Sequence, residues 1–277
     1  WWLLENSLSS KKQEVIPVAE HIVPGKNQAV LITESGEELV LSASGSESRE
    51  LGEGIRVEYD SLRGINYNLA KGAVVSYHTL RVPKGAEYKL TLNDGTVVWL
   101  NSESELRYPT SFVGEKREVF LTGEGYFSVA HDEKHPFIVV SSDIYTKVYG
   151  TEFNMNTYQH GVVQTVLVSG KVGIRVNATG KEVMLAPRQM AEYSEKTGMV
   201  RVEDTDPYRY IAWKDGEFVF ERETIEEIME RLGRWYDVKV FYENESLKQK
   251  RFTGVISRYE DIEQVLRLIE GPATLRF

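Results

Sequence analysis

The chain has 277 residues, 41% of them hydrophobic, which is enough to fill a core in each of two domains. Its 33 basic and 42 acidic residues leave a net charge of −9, and its densest basic run, residues 247–252, is short, so binding to nucleic acid is not expected. The chain has no cysteine, which excludes disulfides and thiolate sites and is compatible with the cytoplasm and the periplasm alike.

The sequence predicts that residues 1–27 form an extended arm or linker. The chain opens with the apolar run WWLL and continues with a polar stretch that contains Pro17 and lacks helical periodicity. Tryptophans followed by lysines are typical of the end of a membrane helix, although four residues fit a strand packed on the core equally well. No apolar run in the sequence reaches the ~18 residues that span a bilayer.

Residues 28–210 predict an all-β body. Short β-branched and aromatic runs, such as AVLITESGEELVL and YKLTLNDGTVVWL, alternate with a period of two and are separated by Gly, Asn, Asp or Ser. Asp94 and Gly95 are typical of a hairpin turn. In the strand that follows, Val98 and Leu100 face the core and their neighbours face outward, or the reverse. The predicted fold is mainly β, an antiparallel sandwich or a short solenoid-like body.

The sequence predicts that residues 211–277 form a small α+β domain with the order β-α-β-β-α-β. Two capping-box patterns, Thr224 with Glu227 and Ser257 with Glu260, predict where its two helices begin. Apolar residues at helical spacing follow each pattern: Ile225, Ile228, Met229 and Leu232 in the first helix, and Ile262, Val265, Leu266 and Ile269 in the second.

No pattern in the sequence predicts catalysis or a cofactor. There is neither a G-x-S-x-G nucleophile elbow nor a Walker or dinucleotide glycine motif. His131 and His135 flank two acidic residues, but Pro136 follows at once and the segment is typical of a hairpin loop, so no metal site is predicted. We therefore expect a protein that is not an enzyme and that has no cofactor.

A carbohydrate-binding β-sandwich is the alternative function. The 15 tyrosines and five tryptophans would supply exposed rings for stacking on sugars. Against this, most rings, such as those of Trp99 and Phe120, fall within strand alternation and are expected in the core. A glycosidase is a more distant alternative, since it needs two carboxyl groups about 5–10 Å apart and surface acids explain the carboxylates equally well.

Four motifs in succession resemble the periplasmic part of FecR-type anti-sigma regulators. They are LTLNDGTVVWLNSESELRYP, REVFLTGEGYFSVAHDEKHPFIV, VYGTEFNMNTY and VLVSGKVGIRV, and they match a family pattern of DGT-x-V-WLNS, GE-x-YF-x-V and GT-x-FN. This resemblance covers residues 82–215, and residues 235–266 resemble the C-terminal domain that follows in members from glycan-harvesting Gram-negative bacteria.

The resemblance implies a single-pass inner-membrane protein. In such regulators a cytoplasmic segment holds an extracytoplasmic-function sigma factor, and the periplasmic part senses the signalling domain of a TonB-dependent outer-membrane transducer. The chain would be the periplasmic, signal-relaying part, attached to the membrane through a helix that ends at WWLL. Sigma-factor binding would then belong to a cytoplasmic segment that is absent from this chain.

Two predicted edge strands, residues 238–242 and 252–256, are the candidates for the partner-binding surface. An exposed sheet edge binds a partner strand through main-chain hydrogen bonds, and alternate side chains give selectivity. The competing interpretation is that both strands are interior and paired within the domain. The candidate partner-binding residues are Val238, Lys239, Val240, Phe241, Tyr242, Phe252 and Val255.

The resemblance also implies self-cleavage in some members, at the peptide bond that corresponds to Gly150 and Thr151 here. A threonine hydroxyl can attack the preceding carbonyl when the backbone is strained, and glycine permits the strained dihedrals. No general base is identifiable from the sequence. The favoured alternative is a glycine-enabled bulge in a strand.

Overall fold

A computed structural model describes residues 22–42, 47–51, 54–60, 64–70, 74–273 and 276. Residues 1–21 of the predicted arm, which include the WWLL run, therefore lie outside the described residues. In the described part of the chain, every helix is too short or too polar to cross a membrane.

The predicted β-rich body, called the body below, is present, and in the described part of the chain it has nineteen strands, β1 to β19. Their bounds are Lys26–Ile32 (β1), Glu38–Ser42 (β2), Glu47–Glu50 (β3), Ile55–Asp60 (β4), Gly64–Leu69 (β5), Tyr77–Val82 (β6), Ala86–Thr91 (β7), Val97–Leu100 (β8), Ser104–Pro109 (β9), Arg117–Thr122 (β10), Glu124–Ser128 (β11), Phe137–Ser141 (β12), Ile144–Val148 (β13), Glu152–Asn156 (β14), Val162–Ser169 (β15), Val172–Val176 (β16), Glu182–Leu185 (β17), Gln189–Ser194 (β18) and Met199–Asp204 (β19).

The strand β1 joins the two halves of a 16-stranded sheet. It pairs antiparallel with β6, at the end of the half ordered β17-β16-β13-β12-β10-β9-β6. Through Lys26 and Asn27 it also pairs in parallel with β7, which begins the half ordered β7-β8-β11-β14-β15-β18-β19. The inward residues of both halves belong to one hydrophobic core, so the sheet folds over on itself as a sandwich does.

The predicted hairpin at Asp94 and Gly95 connects β7 to β8. Gly95 has φ +85°, a left-handed conformation that favours glycine, and the Leu92 amide donates to the Thr96 carbonyl. Val98 and Leu100 are completely buried, so the first of the two predicted registers is the one that forms. The rings of Trp99 and Phe120 are half-buried, and the expectation that they lie in the core is wrong, because both alternate with buried residues on the other face of their strands.

A separate sheet of β3, β4 and β5 covers part of the body. Beneath it, the Tyr67 hydroxyl lies 3.0 Å from Nδ1 of His78 and 2.7 Å from the Tyr108 hydroxyl. His78 is buried, and burial lowers the pKa of its imidazole to about 4, although Glu34 partly opposes this. This network attaches the small sheet to β6 and β9 while the imidazole stays neutral.

A connector and an α+β unit, called the tail below, follow the body. The connector holds a short helix, Tyr208–Ile211 (α1), and a 3₁₀ turn, Ala212–Asp215. The tail consists of Glu217–Thr224 (β20), Ile225–Tyr236 (α2), a 3₁₀ turn at Glu245–Gln249, Arg251–Ser257 (β21) and Ile262–Ala273 (α3). The strands β20 and β21 pair antiparallel, and the helices pack on a second hydrophobic core that runs from Phe218 to Ile269.

The first predicted capping box is confirmed and the second is wrong. The Thr224 side chain accepts from the amide of Glu227, whose carboxylate accepts from the Thr224 amide at 2.8 Å. Ser257, however, is the last residue of β21, and α3 begins only at Ile262. A turn over residues 258–261 intervenes, because the backbone must reverse direction between the strand and the helix that packs back on it.

The strand predicted at residues 238–242 is not formed, so the described part of the tail has the order β-α-β-α. The predicted alternation is present: Val238, Val240 and Tyr242 are half-buried against the second core, while Lys239 and Phe241 are exposed. This alternation results from packing on one side, and in the described part of the chain no strand pairs with the segment. The last predicted strand falls mostly outside the described residues.

Candidate functional site

The structure divides the predicted partner-binding residues between the surface and the core. Phe241 is 87% exposed and Val255 is 60% exposed. Phe252 is buried, and its ring packs edge-on against that of Phe220, with centroids 6.0 Å apart. The exposed part of the candidate surface is therefore Lys239, Phe241 and Val255, and Phe252 supports the core beneath it.

Residues 238–242 are held at both ends. At the end of α2, Asp237 has a left-handed conformation with φ +50°, and the Val238 amide donates to the Gly233 carbonyl at 3.1 Å. At the other end, the Lys248 ammonium lies 5.0 Å from the centroid of the Tyr242 ring and 3.2 Å from Glu226 of α2. The segment is thus positioned as an extended chain although it lies outside the sheet.

A groove of about 450 Å³ separates this segment from the body. Residues 238–242 and Met229 of α2 line one side. On the other side lie Lys84 and Glu103 of the body, whose side chains are 3.5 Å apart. A partner that binds along the segment would therefore contact both units.

Arg258, in the turn after β21, joins the tail to the body and is only 1% exposed. Its Nη2 donates to Oδ1 of Asn101 at 2.9 Å, and its Nη1 donates to the Trp213 carbonyl at 2.8 Å and lies 3.4 Å from Oε2 of Glu87. The guanidinium also lies 3.8 Å from the centroid of the Trp235 ring. We call these five residues the junction.

The charges of the junction are buried and compensate one another. Burial raises the pKa of Glu87, and the charge of Arg258 and a hydrogen bond from the Tyr259 hydroxyl (2.9 Å) oppose that rise. Burial lowers the pKa of Arg258, and the charge of Glu87 opposes this. Removal of either partner would leave an uncompensated charge away from water, which is costly.

Beside the junction, the tail and the body enclose a cleft of about 630 Å³. Some of its polar groups are engaged within one unit: Arg231 lies 2.9 Å from Glu223 in the tail, and in the body Glu124 accepts from the side-chain amide of Asn101 at 2.8 Å. Guanidinium groups also cover two of its rings, with Arg234 at 4.1 Å from the centroid of Tyr158 and Arg258 over Trp235. These rings are not open platforms for a sugar, so the cleft gives no support to the carbohydrate-binding alternative.

The predicted cleavage site lies between β13 and β14. Gly150 has φ +157°, and a Cβ at this position would lie 2.5 Å from Nδ1 of His131, so no larger residue fits without a shift. Thr151 is buried, and its hydroxyl donates to the Lys171 carbonyl at 3.0 Å. The register of β14 with β15 shifts between Glu152 and Phe153, which is the irregularity that the bulge interpretation predicts. Cleavage stays a prediction.

His131 and His135 lie in the loop between β11 and β12, each beside a different carboxylate. His135 is 2.8 Å from Asp132, and this hydrogen bond, with amides of the loop, lowers the pKa of Asp132 to about 2. His131 is 3.6 Å from Glu133. Among the described residues, no three His, Cys, Asp or Glu side chains are grouped as a metal site would require.

The junction is not marked in the sequence. Arg258 falls within the second predicted capping box, where the pattern indicates a helix start. The one local signal is an arginine directly after a strand and beside an aromatic residue, which is too common to indicate a buried contact.

Comparisons with known proteins agree in pointing to one family. The model described as FecR protein matches residues 78–173, and the model described as FecR, C-terminal matches residues 217–277. Two crystal structures of a candidate anti-sigma factor from Parabacteroides distasonis are similar to the chain. One is 29% identical with a TM-score of 0.65, over 72% of this chain and 92% of that one. The other is 28% identical with a TM-score of 0.62, over 73% and 93%. No curated protein matches the chain.

Proposed function

Because the chain belongs to the FecR family of anti-sigma regulators, we propose that it is the periplasmic signal-relay part of a transmembrane regulator. The full-length protein would be anchored in the inner membrane. Its periplasmic part would sense the signalling domain of a TonB-dependent outer-membrane transducer, and its cytoplasmic part would control an extracytoplasmic-function sigma factor.

The exposure of Phe241 carries this proposal. Phe241 is 87% exposed and lines the groove together with Met229, Val238, Val240 and Tyr242, so it belongs to a contiguous apolar surface of the kind that a partner covers. Lys239 lies on the same side of the segment, and Val255 is the exposed apolar residue of β21. Such a surface suits an extended strand of the partner, which would bury alternate side chains.

We propose that the chain acts by binding and not by catalysis. Polar groups beside the cleft hold the tail on the body: Arg234 lies over the Tyr158 ring at 4.1 Å, and Arg258 donates to Asn101 at 2.9 Å. A signal that arrives at the tail would therefore reach the rest of the molecule as a change in that contact.

Calorimetric titration with the periplasmic signalling domain of a transducer encoded beside this protein tests the proposal. We expect saturable binding by the wild-type protein and a loss of affinity of about tenfold or more in Phe241→Asp, since exposed aromatic anchors dominate such interfaces. Val113→Asp is the matched control, because Val113 is an exposed residue of the body (69%).

Each result of this titration has a definite meaning. Equal binding by wild type and Phe241→Asp, with both proteins folded by circular dichroism, would show that the surface is elsewhere. Absence of binding by the wild-type protein would contradict the transducer as partner.

A further inference from the structure

The tail also contacts the segment through which the chain enters the body. Residues 22–27, called the leading segment, end with the first two residues of β1, and Gly25, directly before β1, lies against Trp235 of the tail. The Lys26 amide donates to the Gly85 carbonyl at 3.0 Å, and the Gly85 amide donates to the Arg234 carbonyl at 2.8 Å. One residue of the body, Gly85, thus connects the leading segment to the end of α2.

The contact between Gly25 and Trp235 is unusually close. A Cβ on Gly25 would lie 2.6 Å from two carbons of the indole ring, which is closer than any packed side chain allows. Gly25 does not have the left-handed conformation, so glycine is needed here for close approach and not for a turn.

Trp235 connects this contact to the junction. It is 1% exposed, and its Nε1 donates to the Arg258 carbonyl at 2.6 Å while the Arg258 guanidinium lies over its ring. The Tyr259 ring packs edge-on against it, with centroids 5.9 Å apart. The indole cannot move away from Arg258 without also releasing Gly25.

We propose that the docking of the tail and the position of the leading segment form one coupled equilibrium, with Trp235 as the positioning residue that links them. The biological meaning of this coupling rests on the proposed function. The candidate partner-binding segment, residues 238–242, begins just after the end of α2 that holds Trp235. A partner that displaces this end of α2 would release the leading segment.

The contact between the body and the tail is of a kind that can open and close. The two hydrophobic cores are separate, and the contact consists of hydrogen bonds, one buried ion pair, the packing of Trp235 on Gly25 and the stacking of Arg234 on Tyr158, beside a polar cleft. Buried ion pairs contribute little net stability because desolvation offsets their attraction, yet they fix one geometry. A docked and an undocked state can therefore lie close in free energy.

Coupling of this kind must be reciprocal, so amide hydrogen exchange tests it from both sides. Arg258→Lys loosens the docking, and we expect the exchange rates of the Lys26 and Gly85 amides to rise about tenfold, the effect of losing a charge-assisted hydrogen bond. Gly25→Val disturbs the leading segment, and we expect a similar rise at the amides of Arg258 and Gly216. In both variants, the exchange rates of the amides in the β11–β14 ladder should stay at their wild-type values.

Two controls separate the route through Trp235 from others. Tyr259→Phe removes one hydrogen bond from the tail to Glu87 of the body but keeps the ring against Trp235 and all contacts of Arg258, so Lys26 exchange should rise less than in Arg258→Lys. Gly271→Ala adds a methyl group where nothing lies within 4 Å and should leave both sites unchanged.

The proposal is overturned if Lys26 keeps its wild-type exchange in Arg258→Lys while the tail exchanges faster, or if Tyr259→Phe has the same effect as Arg258→Lys. Should Arg258→Lys unfold the tail, Gly25→Val tests the coupling from the opposite side, and unchanged exchange at Arg258 and Gly216 overturns it. The test uses no partner, so its failure is distinguishable from failure of the titration.

Discussion

The body and the tail differ in how their hydrophobic residues are connected. In the body, inward residues from strands across the whole sheet share one core, and long-range ladders join them. In the tail, two strands and two helices enclose a much smaller core that is separate from the first. The difference indicates a rigid scaffold that carries a unit able to move or unfold by itself, because local stability follows the density of buried apolar contacts.

A truncated side chain in the tail core is expected to change stability the most, and to lower the stability of the tail relative to that of the body. Ile228 is completely buried in α2, so Ile228→Ala should lower the free energy of unfolding of the tail by about 2–5 kcal/mol. Differential scanning calorimetry should then show a tail transition well below that of the body. A single transition that shifts as a whole would instead show that the two units unfold cooperatively and that the separation of their cores does not matter.

A pH-dependent loss of stability is expected in the body. The pKa of His78 is lowered by burial from 6.5 to about 4, so the unfolded state binds a proton first as the pH falls. The stabilisation is complete above pH 6.5 and is lost between that value and the folded pKa, which amounts to about 2 kcal/mol between pH 8 and pH 5.

Urea unfolding of wild type and His78→Gln across this range measures the effect. The variant keeps a polar group that can bond to the Tyr67 hydroxyl but does not titrate, so its stability should fall less steeply with pH. Equal slopes in the two proteins would place the pH dependence in other groups.

No effect at all is expected at the peptide bond between Gly150 and Thr151. The Thr151 hydroxyl is engaged with the Lys171 carbonyl, and the close approach of His131 accounts for the glycine at position 150. The intact mass of the wild-type protein after prolonged incubation should therefore equal the full-length mass, as in Thr151→Ala. Two fragments from wild type and none from the variant would establish self-cleavage.

The features predicted correctly from the sequence are those that depend on neighbours in the chain. The turn at Asp94 and Gly95, the alternation of Val98 and Leu100 with their neighbours and the cap of α2 at Thr224 each follow from residues a few positions apart. Periodicity and capping are local signals, so a single sequence contains them.

The features that were missed depend on contacts between distant parts of the chain. Arg258 binds Asn101, 157 residues earlier, and Gly25 meets Trp235 across the whole body, so no local pattern marks them. At residues 238–242 the sequence predicted a strand, but no strand pairs with them in the described part of the chain, because burial on one side gives the same alternation as pairing in a sheet.

The place of β1 in the sheet determines how the molecule would respond to mechanical load. Tension along residues 22–27 acts on the axis of a strand that is bonded to β2, β6 and β7, so the hydrogen bonds are loaded in shear and must break together. Force applied sideways to the tail acts on separate contacts at the junction and at Gly25 and Gly85, which can break in sequence. We therefore expect the fold to resist a larger force at β1 than at the tail.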